Sequence, residues 1–190
     1  PLHALSLIAN NIQRENIDTN PKKKNSLLHL NQAIESLSKS FDSMLNLSRL
    51  DSGIVKPNFQ TYPLQQLFER LKIEYQNIAV NKNIRFEIVP TKVNIHTDDG
   101  MLYSILSNLV SNAIRYTEQG GILIGARRKN NSVKICVCDT GVGIPIQKLD
   151  CIFNEYQRLE YAKERVTGGV GLGLSISERM AVLLNTKIQV

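Results

Sequence analysis

Apolar residues follow two different patterns along the chain, and the change falls near residue 54. Before it, Leu2, Leu5, Ile8 and Ile12 recur at helical spacing. After a polar stretch, Leu27, Leu30, Ile34, Leu37, Phe41 and Met44 step by 3, 4, 3, 4 and 3. That is a heptad seam with apolar a and d positions. Asn16 to Asn25, with Asn20-Pro21 and three lysines, is expected to turn between two helices. Asp51-Ser52-Gly53 supplies the stop. A two-helix hairpin cannot bury such a stripe alone. It either packs on the rest of the chain or pairs with a second copy as a dimeric four-helix bundle.

From Ile54 onward the pattern is mixed. Ile54 to Gln60 reads as a short extended piece interrupted by Pro57. Pro63 opens a helix with Leu64, Leu67, Leu71, Tyr75 and Ile78 on one side. Ile84–Val89 and Val93–Thr97 read as strands. Asp98 or Asp99 can cap a helix running to about Thr117. Ile122–Arg128 and Val133–Asp139 are strands joined through Asn130-Asn131 as a hairpin. Residues 144–168 read as a loop with a short helix, Gly171 to Leu184 as a helix, and Lys187–Val190 as the start of a strand. The expected class is α+β: a helical hairpin, then an α/β sandwich whose mixed sheet carries helices on one face.

Composition narrows the function classes. No apolar run approaches the roughly 18–20 residues that span a bilayer. Pro1-Leu2-His3 lacks the charged start of a signal peptide. Three cysteines, two of them at Cys136 and Cys138, form no disulfide framework, so a reducing, cytoplasmic setting is expected. Their spacing does not suggest zinc. The net charge of +6 is spread along the chain, with small clusters at Lys22-Lys23-Lys24 and Arg127-Arg128-Lys129. Nucleic-acid binding would want a basic stripe with aromatic partners, so no nucleic-acid partner is expected. Six of the 11 glycines lie between Gly141 and Gly173, and the chemistry is sought there.

Three constellations stand out. Asn108 and Asn112 share a helix face, with Arg115 three residues on. Asparagine is a poor helix former, so the pair is either a solvated polar face or a functional one; a carboxamide oxygen can ligate Mg²⁺ beside substrate phosphates. Asp139-Thr140-Gly141-Val142-Gly143 follows a strand. Its carboxylate can accept from an exocyclic amine, and its glycines admit a flat ring; a plain Asp-Gly turn is the alternative. Gly168-Gly169-Val170-Gly171-Leu172-Gly173 opens a helix, where backbone N–H groups favour anions. It is neither a P-loop nor a dinucleotide fingerprint.

In this order the motifs resemble the sensor histidine kinases, within the gyrase, Hsp90, histidine kinase and MutL ATPase superfamily. Ser107 to Thr117 resembles the family's N box, Asp139 to Ile144 its G1 box, Ile152 to Leu159 its F box, and Gly169 to Gly173 its G2 box. The resemblance implies ATP and Mg²⁺ as cofactors. It implies Asn112 as the Mg²⁺ ligand, with Asn108 a second polar contact. Arg115 would reach the phosphates and Tyr116 would line the nucleotide. Asp139 would read the adenine amine over a floor shaped by Gly141 and Gly143. Gly169, Gly171 and Gly173 would hold the phosphate side, and Arg158 would contact the γ-phosphate. The hydrolysing branches place a glutamate at the position of Asn108; an amide cannot act as that general base, which favours a kinase.

Residues 1–53 then resemble part of the dimerisation and histidine-phosphotransfer hairpin, and 54–190 the ATP-binding domain. The family's acceptor motif is His-x-x-x-x-Pro. Pro1 matches its proline, so the acceptor histidine is expected upstream of residue 1, and His3, His29 and His96 are expected to pack or lie at the surface. The family's last strand is expected beyond Val190. The implied partners are a second copy, through the N-terminal helices, and a response-regulator receiver domain, separate or fused. The parent protein is expected to be cytoplasmic or anchored in the inner membrane. The alternative is a degenerate module that binds nucleotide or partners without phosphotransfer.

Overall fold

The core forms where two amphipathic helices meet one face of a sheet. A computed structural model describes residues 21–130, 132–157 and 171–190. Helix α1 (Pro21–Asp51) leads by an extended segment into strand β1 (Gln60–Pro63) and helix α2 (Leu64–Asn81). Strands β2 (Arg85–Ile88) and β3 (Asn94–Thr97) precede helix α3 (Asp99–Tyr116). The hairpin β4 (Gly121–Lys129) and β5 (Ser132–Asp139) follows, then a 3₁₀ helix (Ile146–Cys151) and helix α4 (Gly173–Leu183).

β4 is the central strand of a mixed sheet, parallel to β2 and antiparallel to β5. β1 and β3 form a separate antiparallel pair. On β4, Ile122 and Ile124 are buried while Leu123 between them is 45% exposed, so only one face is covered. The covering residues are Leu64, Leu67, Phe68, Leu71, Tyr75 and Ala79 of α2, with Leu106, Val110, Ala113 and Ile114 of α3. The Tyr75 hydroxyl shares a 2.6 Å hydrogen bond with Ser107 Oγ, so the polar end of a buried ring is satisfied where α2 meets α3. The α+β class and the mixed sheet with helices on one face are as expected.

Both ends of α3 are fixed by long-range contacts. At its start Asp98 Oδ1 accepts from Met101 N at 2.8 Å, the expected cap, while Oδ2 accepts from Asn58 N at 2.8 Å. At its end Lys82 Nζ donates to the carbonyls of Ile114 at 2.6 Å and Arg115 at 2.8 Å. A cation there satisfies orphan carbonyls and complements the helix dipole.

Several expectations are corrected. The turn placed at Asn16–Asn25 does not extend past residue 20, because α1 already includes Pro21. Proline is tolerated in a helix's first turn, where its missing N–H costs nothing. The first helix of the expected hairpin lies outside the described residues. Ile78 is 49% exposed and Ala79 takes its place in the core; the stripe advances from Leu71 and Tyr75 by fours and passes Ile78 by. Lys187–Val190 is not a strand: no described strand pairs with it, and Ile188 packs instead beside Ile105, Ala181 and Leu184. The short helix expected in 144–168 is the 3₁₀ turn, and residues 158–168 lie outside the described residues. Along the heptad seam Ile34 is buried, whereas Leu30, Leu37, Phe41 and Met44 are 47 to 56% exposed.

The sheet's one-sided burial gives a direct test. Phe68→Ala should cost about 3–5 kcal/mol in denaturant unfolding. Leu123→Ala on the open face should cost less than about 1 kcal/mol. Equal losses would mean that both faces are covered.

Candidate functional site

One face of α3 gathers the expected residues. Asn108 sits where α3 crosses the first turn of α4. Its Nδ2 donates to Ser177 Oγ at 2.9 Å, and its amide oxygen occupies the space a Cβ on Gly173 would need. Only glycine allows this approach. Ser175 and Ser177 are both buried on α4, and Ser175 Oγ donates back to the Leu172 carbonyl at 2.9 Å. The start of α4 is therefore seated on α3.

Asn112 lies one turn further along the same face. Its side chain is partly buried and makes no hydrogen bond among the described residues. Arg115 is partly buried and engaged within the protein. At the helix end the Tyr116 carbonyl lies against Gly141: a Cβ there would sit 2.7 Å from the Tyr116 oxygen and 2.7 Å from Asp139 Oδ1. Gly141 N donates to Asp139 Oδ1 at 2.8 Å, which orients an otherwise exposed carboxylate at the end of β5. Gly143 has φ +70 and open space beside it. Thr140 Oγ1 donates to the Gln119 carbonyl at 2.9 Å and accepts from Gly121 N at 3.0 Å, pinning the Asp139 loop to the turn before β4.

Next to α4, Gly171 has φ +80 and packs on the backbone of Tyr156, whose N–H donates to the Gly171 carbonyl at 3.0 Å. Residues 157 and 171 flank the segment that carries Arg158 and Gly169. Both of those residues lie outside the described part.

The structure thus joins Asn108, Gly171 and Gly173 at one corner, and Tyr116, Asp139, Gly141 and Gly143 at another. Asn112 and Arg115 lie on the helix between them. The sequence reading missed Ser177, Thr140 and Lys82. Ser177 is four residues after Gly173, on the side turned to α3, and that spacing could have flagged it. Lys82 is 32 residues from the carbonyl it holds, and no local pattern marks it. Thr117, the last residue of the Ser107–Thr117 motif, is fully buried, and among the described residues its hydroxyl has no hydrogen-bond partner.

The donor set suits a flat base and a phosphate chain better than a metal bound by protein alone. Among the described residues no three His, Cys, Asp or Glu side chains cluster. The carboxylate at the end of β5 is exposed beside glycines, and α4 begins with glycine on an amide-bearing helix.

A family model described as histidine kinase-, DNA gyrase B- and HSP90-like ATPase matches residues 97–190. The chain belongs to this family, as an ATP-binding core of the sensor histidine kinase kind. It is 32% identical over 168 residues to the autoinducer 2 sensor kinase/phosphatase LuxQ of Vibrio vulnificus, covering 82% of this chain and 19% of the relative. It is 30% identical to the sensor-like histidine kinase SenX3 of Mycolicibacterium smegmatis, covering 80% of this chain and 40% of the relative. It therefore spans well under half of either protein. Among solved structures, the catalytic domain of histidine kinase ThkA matches 65% of this chain and 81% of its own at 27% identity and TM-score 0.56. Full-length ShkA in complex with AMPPNP matches 96% of this chain and 41% of its own with TM-score 0.73 at 22% identity, a likeness of fold.

Because Gly173 and Asn108 share one volume, their substitutions should couple. Gly173→Ala should cost about 1–3 kcal/mol in urea unfolding. In an Asn108→Ala background the same change should cost at least about 1 kcal/mol less. Gly141→Ala meets the Tyr116 carbonyl as well as the Asp139 carboxylate, so removing the side chain alone, with Asp139→Ala, should not rescue it. Additive losses at Gly173 and Asn108 would rule out the shared volume.

Proposed function

We propose that this chain, within its parent protein, transfers the γ-phosphoryl group of ATP to a histidine upstream of residue 1, and from there to an aspartate of a response-regulator receiver domain. The observation that carries this reading is the single face of α3. It carries an oriented carboxylate beside glycine at one end, the seated start of α4 at the other, and Asn112 between them.

In this reading the described residues divide the work. Asp139 accepts a hydrogen bond from the adenine amine, held in direction by Gly141 N–H. Gly143, with open space beside it, lets the ring approach the backbone, Gly141 lets the Asp139 loop close on the Tyr116 carbonyl, and Tyr116 lines the ring. Asn112 offers its amide oxygen to Mg²⁺, and Arg115 reaches toward the phosphates. Mg²⁺, when bound, supplies charge neutralisation on the phosphate oxygens. The start of α4, seated through Gly171 and Gly173, offers its backbone N–H groups to the phosphates; the contacts expected of Gly169 and Arg158 fall outside the described residues. Asn108 serves as a strut: its Nδ2 is committed to Ser177, and an amide cannot take a proton from water. That suits phosphoryl transfer to a protein side chain over hydrolysis.

Residues 1–53 are proposed as part of the dimerisation and phosphotransfer hairpin, and 54–190 as the catalytic domain. The exposed Leu30, Leu37, Phe41 and Met44 of α1 support a homodimer through these helices, since such a stripe needs a covering surface. No described helix is long and apolar enough to cross a membrane. The kinase works on the cytoplasmic side, whether or not its parent is anchored in the inner membrane.

Two measurements check this. Calorimetric titration with a non-hydrolysable ATP analogue should show binding that Mg²⁺ strengthens and Asp139→Asn abolishes. Incubation with γ-labelled ATP of a chain extended through the upstream residues should give acid-labile label on a histidine upstream of Pro1. Acid-stable label, or acid-labile label on residues 1–190, would contradict the acceptor assignment. Binding indifferent to Asp139→Asn would contradict the adenine role.

A further inference from the structure

Arg179 of α4 holds two carboxylates from distant parts of the chain. Its Nε donates to Asp51 Oδ1 at 2.6 Å and its Nη2 to Glu155 Oε1 at 2.6 Å. Nη1 lies 3.4 Å from the Ser175 carbonyl. Asp51 is the last residue of α1, and Glu155 follows the 3₁₀ helix just ahead of the Tyr156–Gly171 contact. One guanidinium therefore ties the end of α1 to both sides of the glycine-rich corner. Its rigid fork can hold two carboxylates at once, which a lysine ammonium on one flexible stem does poorly.

The surroundings make this tie breakable. The Arg179 side chain is 33% exposed, and those of Asp51 and Glu155 are 52% and 37% exposed. Beside it a cleft of about 570 Å³ opens between α1 and α4, lined by Leu50, Phe153, Glu178 and Val182 among others. Val182 is 67% exposed. Solvated ion pairs next to an open cleft hold far less than a packed apolar interface, and salt screens them. Burial alone would depress the guanidinium's pKa, but the bonds and charges of Asp51 and Glu155 outweigh it and hold the pKa above its ordinary value. The cation thus stays charged at any physiological pH.

We propose that the Asp51–Arg179–Glu155 bridge is a latch that holds the catalytic part against the end of α1 in a resting arrangement, and that its release speeds phosphoryl transfer. This rests on the function proposed above. Transfer needs the reacting atoms about 3–3.5 Å apart. The nucleotide-binding part must therefore travel to the acceptor histidine, and a bridge to the last turn of α1 restricts that travel. A stimulus that twists or shifts α1 would act on Asp51 directly.

The test compares the chain carrying its upstream residues with Arg179→Ala, Arg179→Lys and Asp51→Asn. Asp51→Asn is nearly isosteric and keeps the test readable if Arg179→Ala folds poorly. Hydrogen exchange of residues 47–53 and the initial rate of labelling from γ-labelled ATP are followed together. Arg179→Ala and Asp51→Asn should each speed exchange of that segment and raise the labelling rate about two- to tenfold, with affinity for the ATP analogue unchanged. Arg179→Lys should fall between them and wild type. Unchanged exchange in both variants would overturn the latch, as would a labelling rate that falls while affinity holds. Faster exchange with no label in any form, wild type included, would keep the mechanical tie but sink the kinase reading and the regulatory role with it.

Discussion

Gly173 can begin α4 where it does only because it lacks a side chain. The Asn108 amide fills the space a Cβ would take, and its Nδ2 reaches Ser177 one turn further along the same helix. The start of α4, the glycine-rich corner and its contact with Tyr156 are all placed by that seat. Helix α3 is in turn held at both ends, by the Asp98 cap and by Lys82 on its last carbonyls. The site is thus built on a rigid helix, and its loops attach to that helix through short backbone contacts at Gly141 and Gly173. Such a scaffold positions groups more closely than loops alone could.

Much of this was legible in the chain. The apolar steps of α2 and α3, the Asp98 cap and the β4–β5 hairpin each rest on short-range rules, and each forms as those rules dictate. Gly141, Gly171 and Gly173, whose pattern suggests room for a ligand, are in close contact with Tyr116, Tyr156 and Asn108. What escaped notice was long-range or partnered. Lys82 caps a helix far from it in sequence. Ser177 reads as one more small residue until Asn108 is placed beside it. Ile78 loses its core position to Ala79 because a stripe one residue wide cannot be fixed by apolarity alone. Lys187–Val190 has a strand's composition, yet a strand exists only where a neighbour accepts its hydrogen bonds.

The described parts of the chain are held together unequally. Between α2, α3 and the sheet the contact is apolar and continuous, centred on Phe68, Leu71 and Val110. Between α1 and α4 it combines an arginine bridge beside an open cleft with the buried side chain of Leu50. The first contact carries most of the stability, at about 25 cal/mol per Å² of apolar surface removed from water. The second contributes at most about 1 kcal/mol per ion pair. A protein that must keep its nucleotide corner intact while changing its distance from a partner helix gains from that asymmetry.

The central claim is that one face of α3 arranges base, metal and phosphates in order along its length. A crystal structure of the chain with Mg²⁺ and a non-hydrolysable ATP analogue tests it most directly. The expected result is the adenine amine on Asp139, the metal on Asn112 and the terminal phosphates at the glycine-rich start of α4. A nucleotide bound elsewhere, or one lying along this face in the opposite direction, would contradict it.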